Sequence, residues 1–159
     1  MLSPKSSPKT LPIAEESNKK HLQYWQPDYS CNYRIYYEDT DSGGVVYYAN
    51  YLKFCERART DFLHSLAISQ NQLKEQEGII FVVKSCTVDY LKPAKLDDII
   101  AVELKITTVK VASIIFIQKI YNQHRHHLIN FSCEIVAIDS SNFRPKKIPQ
   151  SLKNILYVR

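Results

Sequence analysis

Two carboxylates, Asp39 and Asp41, lie in a polar turn directly ahead of a predicted helix. Two of the three glycines of the chain, Gly43 and Gly44, follow them at once. Adjacent glycines permit positive φ values and let a ligand approach the backbone closely. The helix that follows supplies unpaired N–H groups and the positive end of its dipole. This combination suits acyl transfer, because a carboxylate can attack a carbonyl carbon, or activate water against it, while the N–H groups stabilise the oxyanion.

The same turn has a purely structural interpretation. An Asp ahead of a Gly-Gly pair is often the first residue of an Asx-turn, and an Asp before a helix is often its cap. Residue types and spacing alone favour this structural interpretation over the catalytic one. For Asp39 we expect a structural role in the turn rather than that of a second catalytic acid.

The elements around the turn are predicted from hydrophobic periodicity. Alternation of Tyr33, Ile35 and Tyr37 with polar or outward residues predicts a strand that begins near Asn32. A stripe of apolar residues with helical spacing predicts a long helix over 50–66, and a second helix is predicted over 69–77. Four strands follow in the prediction, over 79–91, 100–107, 113–121 and 128–138.

One strand, one long helix and four further strands predict an α+β domain with the helix packed across an antiparallel sheet. Residues 1–28 have the Ser, Pro, Lys and Glu content of a disordered arm, so the folded domain is predicted over 29–159. Pro145 and Pro149 are predicted to close it. A single helix cannot cover the sheet, and we therefore expect an oligomer, most simply a dimer that continues the sheet edge to edge.

Charge and cysteine content limit the class of protein. The net charge of +5 suits nucleic acid, the phosphates of coenzyme A or an anionic membrane surface. The chain lacks the aromatic-and-basic stripe or recognition motif of a nucleic-acid-binding protein. Its four cysteines are scattered without a CxxC pair, which indicates a reducing compartment, and the absence of a secretory signal agrees. A cytoplasmic location is predicted.

The segment from Arg34 to Tyr51 resembles the signature of the 4-hydroxybenzoyl-CoA thioesterase family. The similarity lies in a basic residue followed by Ile, then Thr-Asp, Gly-Val-Val, and an aromatic residue ahead of Asn-Tyr. The Tol-Pal-associated acyl-CoA thioesterase branch is more similar still. Further matching segments are Glu56–Thr60, Phe81–Lys84, Val88–Tyr90 and Pro93–Asp98.

This resemblance implies a hotdog fold, in which an antiparallel β-sheet wraps around one long central α-helix. It also implies a homodimer that often pairs into a homotetramer, and acyl-CoA hydrolysis without a metal or a cofactor. It places the catalytic aspartate at Asp41 and the N–H that polarises the thioester carbonyl at Tyr48. The Tol-Pal-associated branch usually has His at the position of Tyr48, whereas the 4-hydroxybenzoyl-CoA branch can have Tyr. The exchange is neutral if only the main-chain N–H acts.

Several residues near Asp41 are predicted to bind the substrate, and contacts with other proteins are also expected. Gly44, Tyr47 and Tyr51 are predicted to line an apolar acyl groove between subunits, and Lys84 to hold coenzyme A phosphates. Contacts with acyl carrier protein or with an inner-membrane, Tol-Pal-linked complex are further expectations. A hotdog scaffold with little turnover is the alternative function.

Two other groups of side chains receive structural interpretations. Glu56 is expected to form a salt bridge with Arg57, Arg59 or a neighbouring subunit. A histidine cluster falls in a predicted hairpin tip without an acidic or Cys partner nearby, and no metal site is predicted there. Its members are His124, His126 and His127.

Overall fold

The protein is described by a computed structural model that covers residues 25–157. Five strands form a single sheet in the order β1-β3-β4-β5-β2, and every neighbouring pair is antiparallel. The strands are β1 (Tyr29–Arg34), β2 (Ile79–Tyr90), β3 (Ile99–Val109), β4 (Ser113–Asn122) and β5 (His127–Asp139). The α+β prediction is confirmed, and the predicted ends of β2 to β5 all lie within two residues of the observed ends.

One long helix, α1 (Asn50–Ser65), packs across the sheet and contacts β1 and β3. Its residues Cys55, Ala58 and Phe62 are fully buried, as their spacing predicts. Leu52, predicted on the same face, is partly exposed because it faces a groove beside β2 rather than the core. A sheet wrapped around one long helix is the hotdog arrangement that the resemblance implies.

Two shorter helices complete the described chain. Helix α2 (Gln70–Glu77) begins after Ser69, whose hydroxyl accepts the Gln72 N–H, and ends at Gly78 with φ of 60°. Helix α3 (Gln150–Tyr157) was not predicted, since Pro149 was interpreted as the end of the domain. Pro is also favoured in the first turn of a helix, and here Leu152 and Leu156 bury one face of α3 against the core. No helix within residues 25–157 is long and apolar enough to span a membrane.

The two ends of the first predicted strand are also corrected. Strand β1 stops at Arg34, and Tyr37–Asp39 form a 3-10 turn, because Asp39 Oδ2 accepts the Tyr36 N–H at 2.9 Å. At the other end, Trp25 Nε1 donates to Glu103 Oε2 at 2.7 Å, so residues 25–28 already contact β3. Of the predicted arm over residues 1–28, residues 1–24 lie outside the described residues.

Strand β2 is an edge of the sheet and is largely exposed on its second half. From Val82 to Tyr90 only Val88 is partly covered. A register shift at Lys84 interrupts its pairing with β5, so that Val83 and Cys86 both face the groove beside α1. Helix α1 contacts β1 and β3, and helix α2 contacts β2, but β2 stays largely exposed from Val82 onward among the described residues.

Candidate active site

The turn ahead of α1 fixes the carboxylate of Asp41. Asp41 Oδ1 accepts the Gly43 N–H at 2.8 Å, and the Asp41 main chain pairs with Val45 and Gly44. This is the Asx-turn of the structural interpretation, but it uses only one carboxylate oxygen. Within residues 25–157 no hydrogen bond reaches Oδ2, and the side chain is exposed. The turn therefore orients the carboxylate and leaves one oxygen available for chemistry.

The two glycines serve different purposes. A Cβ atom on Gly43 would lie 3.0 Å from Asp41 Oδ1, so glycine is needed there for the carboxylate to fold back on the turn. Gly44 has φ of +74° and open space around it, so a glycine is favoured there by the backbone conformation and not by lack of room for a side chain. Gly44 is not part of the cavity wall described below, and its contact with substrate stays a prediction.

The main chain of Asp39 joins this turn to the start of α1. Its carbonyl accepts the Tyr47 N–H at 2.9 Å and the Asn50 side-chain amide at 3.0 Å. On the other side, the Val46 N–H donates to Ala94 O at 2.9 Å. Because the carboxylate of Asp39 caps the preceding 3-10 turn, its predicted structural role agrees with the geometry.

The Tyr48 N–H has no hydrogen-bond acceptor among residues 25–157. It lies just ahead of α1, whose N-cap residue Ala49 offers no side-chain acceptor to the first turn. The positive end of the helix dipole is therefore not offset by a capping oxygen. An N–H group in this state is suited to bind a developing oxyanion.

Asp41 and Tyr48 lie on the wall of one cavity of about 350 Å³, between the start of α1 and the end of β2. Among the described residues, Asp41 is the only carboxylate on this wall and Lys92 its only cation. The wall is formed by Asp41, Val45, Val46, Tyr47, Tyr48, Tyr51, Tyr90, Leu91, Lys92 and Pro93. The structure thus brings together four of the six predicted site residues: Asp41, Tyr47, Tyr48 and Tyr51.

The tyrosines of this wall are unsuited to act as bases. A hydrogen bond with Tyr48 raises the pKa of Tyr47, and burial raises the pKa values of Tyr51 and Tyr90. All three phenols therefore remain protonated near neutral pH. Asp41 is left as the group that can serve as nucleophile or base.

Tyr90 is a wall residue that the sequence did not predict. Its hydroxyl donates to Tyr48 O at 3.1 Å, and its ring packs against Tyr48 and Tyr51 with centroids 6.3 Å and 6.0 Å apart. The contact joins the end of β2 to Tyr48, the residue just ahead of α1. Periodicity cannot reveal it, since the partners are 42 residues apart.

Tyr51 is a wall residue with a structural hydrogen bond. It is 3% exposed, and its hydroxyl accepts the N–H of the fully buried Ala94 at 2.8 Å. Tyr51→Phe leaves this N–H unsatisfied, and we expect a loss of about 1–3 kcal/mol in the free energy of unfolding. Denaturant unfolding measures it. Tyr37→Phe, at a highly exposed position, is the matched control and should change stability little; equal stabilities for the two variants would contradict the assignment.

Lys84 is not part of this cavity wall. Its ammonium lies 3.0 Å from Glu134 Oε2. Hydrogen bonds from Lys84, Ser113 and Lys110 lower the pKa of Glu134 to about 2. The binding of coenzyme A phosphates by Lys84 stays a prediction, and within one chain Lys92 is the cation beside Asp41.

The salt bridge predicted for Glu56 is not formed within residues 25–157. Glu56 Oε1 accepts the Thr60 hydroxyl at 2.9 Å, one helical turn away. Arg57 packs over the ring of Phe54, and Arg59 turns inward to Gln118. The two arginines thus have other partners, and a contact between Glu56 and a neighbouring subunit stays a prediction.

Comparison with known proteins agrees with this geometry. Residues 36–156 match the thioesterase-like superfamily. The chain is 41% identical over 125 residues to the acyl-CoA thioesterase YbgC of Haemophilus influenzae, covering 79% of this chain and 91% of that protein. It is 37% identical to the protein of that name in Helicobacter pylori, covering 77% of this chain and 96% of that one. The solved DHNA-CoA thioesterase from Staphylococcus aureus shares the fold, with a TM-score of 0.73 at 24% identity and coverage of 79% and 83%.

Proposed function

Because the chain belongs to the thioesterase-like superfamily, we propose that it hydrolyses acyl-CoA thioesters to a free acid and coenzyme A, with Asp41 as nucleophile or general base. One observation carries the proposal. Within residues 25–157, the cavity beside α1 contains a single carboxylate, held by its turn with one oxygen available, and a main-chain N–H of Tyr48 without an acceptor. Thioester hydrolysis needs these two groups on opposite sides of a carbonyl.

In the proposed reaction the thioester carbonyl oxygen accepts the Tyr48 N–H. Asp41 Oδ2 attacks the carbonyl carbon, or removes a proton from water that attacks it, and the thiolate of coenzyme A leaves. The helix dipole and the N–H stabilise the tetrahedral oxyanion in both routes. In the first route, water then hydrolyses the mixed anhydride. No step uses a metal or a cofactor, so a chelator should leave turnover unchanged.

In the proposed complex, the part of the acyl group next to the reacting carbon lies against the tyrosine-rich part of the wall. Tyr47, Tyr51 and Tyr90 present rings there, and Val46 and Leu91 add aliphatic surface. Gly44 shapes the turn on the side of Asp41, and Lys92 provides a positive charge for the phosphates. Lys84 is a second candidate to bind the coenzyme A phosphates, and it would do so at the site of a neighbouring subunit.

A panel of short, long and aromatic acyl-CoA substrates, with release of the free thiol as the readout, tests this function. We expect turnover of at least one acyl class. The alternative, a hotdog scaffold for acyl carrier protein or a Tol-Pal-linked membrane complex, predicts binding of thioesters with no thiol release. Acyl carrier protein loaded with the preferred acyl group then identifies the natural carrier.

The proposal includes a homodimer formed through β2, with pairing to a homotetramer. Strand β2 has an unpaired edge among the described residues, and its exposed residues include large apolar ones such as Val83 and Tyr90. Exposed apolar edges pair readily with another strand. Pairing of two β2 strands would continue the sheet and bring a second α1 over the half that the first helix leaves uncovered.

Val83→Glu is expected to prevent this dimer and to lower activity, because a carboxylate would be buried in the new interface. Val83 is 54% exposed in the single chain, so the substitution should not disturb its fold. Val111→Glu, at a position 59% exposed in the β3–β4 turn, is the matched control. Sedimentation should show a monomer for Val83→Glu and the dimer for Val111→Glu. A dimer in both variants would exclude β2 as the interface.

The cytoplasm is the proposed location. All four cysteines are free, including the exposed Cys86, which suits a reducing compartment. Fractionation of cells that express the protein tests this part of the proposal.

A further inference from the structure

Asn50 is a buried polar residue next to the candidate site, although it is not part of the cavity wall. It is the first residue of α1 and is 7% exposed. The residues that line the Asp41 cavity do not include it. Removing a side-chain amide from water is costly unless hydrogen bonds replace those that it made with water. The partners of Asn50 therefore explain why an amide lies there.

Asn50 donates one hydrogen bond to each of the two segments that form the candidate site. Its side-chain amide donates to Asp39 O at 3.0 Å, two residues ahead of Asp41. Its main-chain N–H donates to Tyr47 O at 2.8 Å. The carbonyl of Tyr47 and the N–H of Tyr48 belong to the same planar peptide group. Asn50 thus contacts both the backbone beside the carboxylate and the peptide group that carries the Tyr48 N–H.

The side chain of Asn50 joins α1 to the Asp41 turn. Asp39 O also accepts the Tyr47 N–H at 2.9 Å, but that bond connects two residues ahead of the helix. Among the described residues, no other side chain of α1 forms a hydrogen bond with residues 36–46. Loss of the Asn50 amide would let the turn shift relative to the start of α1.

The main-chain bond of Asn50 acts on the proposed oxyanion donor. A carbonyl that accepts a hydrogen bond polarises its peptide group, so the N–H of that group becomes a stronger donor. Because the Asn50 N–H donates to Tyr47 O, the Tyr48 N–H is strengthened in this way. The same bond fixes the direction of the N–H, since the peptide group is planar. One bond of Asn50 therefore orients the donor, and the other sets where the carboxylate lies relative to it.

We infer that Asn50 is a positioning residue, which keeps the Asp41 carboxylate and the Tyr48 N–H at the spacing that one thioester carbonyl requires. This role rests on the proposed function. Asn50 lies off the cavity wall, so it acts through Asp39 and Tyr47 rather than on the substrate. A shift of about 1 Å in a reacting group can cost roughly a hundredfold in rate. A purely structural role predicts lower stability with unchanged kcat.

Asn50→Ala should lower kcat for the best acyl-CoA substrate by about 10–100-fold and change KM by less than about threefold, because the cavity wall keeps its residues. Amide hydrogen exchange measured by NMR should show the Tyr47 N–H exchanging about tenfold faster or more, since its acceptor Asp39 O is no longer held by the side chain. Asn50→Asp keeps the side-chain shape but, when ionised, has no proton to donate to Asp39 O. Asp is favoured in the first turn of a helix, so this variant should fold even if Asn50→Ala does not. It should lose kcat to a similar extent.

Tyr33→Phe is the matched control. The Tyr33 hydroxyl donates to Asp61 Oδ2 at 2.8 Å, so this variant also loses a partly buried hydrogen bond to α1, eleven residues beyond Asn50. It should keep the kcat of the unmodified protein even if its stability falls.

Three results would overturn this inference while the proposed function stands. They are turnover by the unmodified protein with unchanged kcat in either Asn50 variant, unchanged exchange of the Tyr47 N–H in Asn50→Ala, and an equal loss of kcat in Tyr33→Phe. If the unmodified protein releases no thiol from any substrate of the panel, the proposed function fails, and this role fails with it.

Discussion

Replacing Asp41 with Asn is expected to lower kcat/KM for the best acyl-CoA substrate by roughly 10²–10⁴-fold, the contribution of a positioned nucleophile or base. Asn has nearly the same shape, and its side-chain oxygen can still accept the Gly43 N–H that now binds Asp41 Oδ1. The turn should therefore keep its geometry while the charge is lost. Because their raised pKa values keep Tyr47, Tyr51 and Tyr90 protonated, none of these three phenols can replace this carboxylate as a base.

The control for this variant is Asp97→Asn, which removes another exposed carboxylate from a turn. Asp97 has φ of 68°, a conformation that Asn also adopts readily, and its one ion pair within residues 25–157 is a 3.9 Å contact with Arg34. Its kcat/KM should match that of the unmodified protein. Thermal unfolding and sedimentation must show intact assemblies for both variants. Turnover by Asp41→Asn within about threefold of the unmodified protein would remove Asp41 from the mechanism.

The sequence predicts those parts of the fold that repeat. Helix α1 follows from apolar residues spaced for one buried face, and β4 and β5 alternate between buried and less buried residues along most of their length. At Tyr37 the same alternation is misleading, because the local hydrogen bond from the Tyr36 N–H to Asp39 ends the extended chain. Helix α3 has only two buried leucines to indicate it, and Pro149 can mark either an end or a beginning.

The part of the candidate site around Asp41 is local in sequence, and this is why the sequence could indicate that its residues lie together. Asp41, Tyr47 and Tyr48 lie within eight residues, and the turn that joins them needs only the two glycines and the start of α1. The remaining wall comes from the end of β2 and the chain that follows it, where Tyr90 and Lys92 meet the turn only in the folded sheet. Arg59 illustrates the same limit, since its burial depends on Gln118 of β4.

This chain has Tyr48 where the Tol-Pal-associated branch usually has His. Two substitutions test whether the side chain at this position takes part in the reaction. If only the main-chain N–H acts, Tyr48→Phe should keep kcat/KM within about threefold, since it changes the side chain and leaves the backbone donor in place. Tyr48→His should then give no gain. A large gain with His would show that an imidazole assists proton transfer and that this chain works without that assistance.

Tyr48→Pro removes the N–H itself and is expected to lower kcat by roughly 10²–10³-fold, the cost of losing one oxyanion donor. Proline is tolerated at the start of a helix because the N–H that it lacks has no intrahelical partner there. Here the Tyr48 N–H has no acceptor among residues 25–157, so no protein hydrogen bond is lost with it. Loss of the aromatic contact with Tyr90 is common to Tyr48→Pro and a Tyr48→Ala control. The ratio of kcat between these two variants, at equal thermal stability, isolates the N–H, and a ratio near one would place the oxyanion elsewhere.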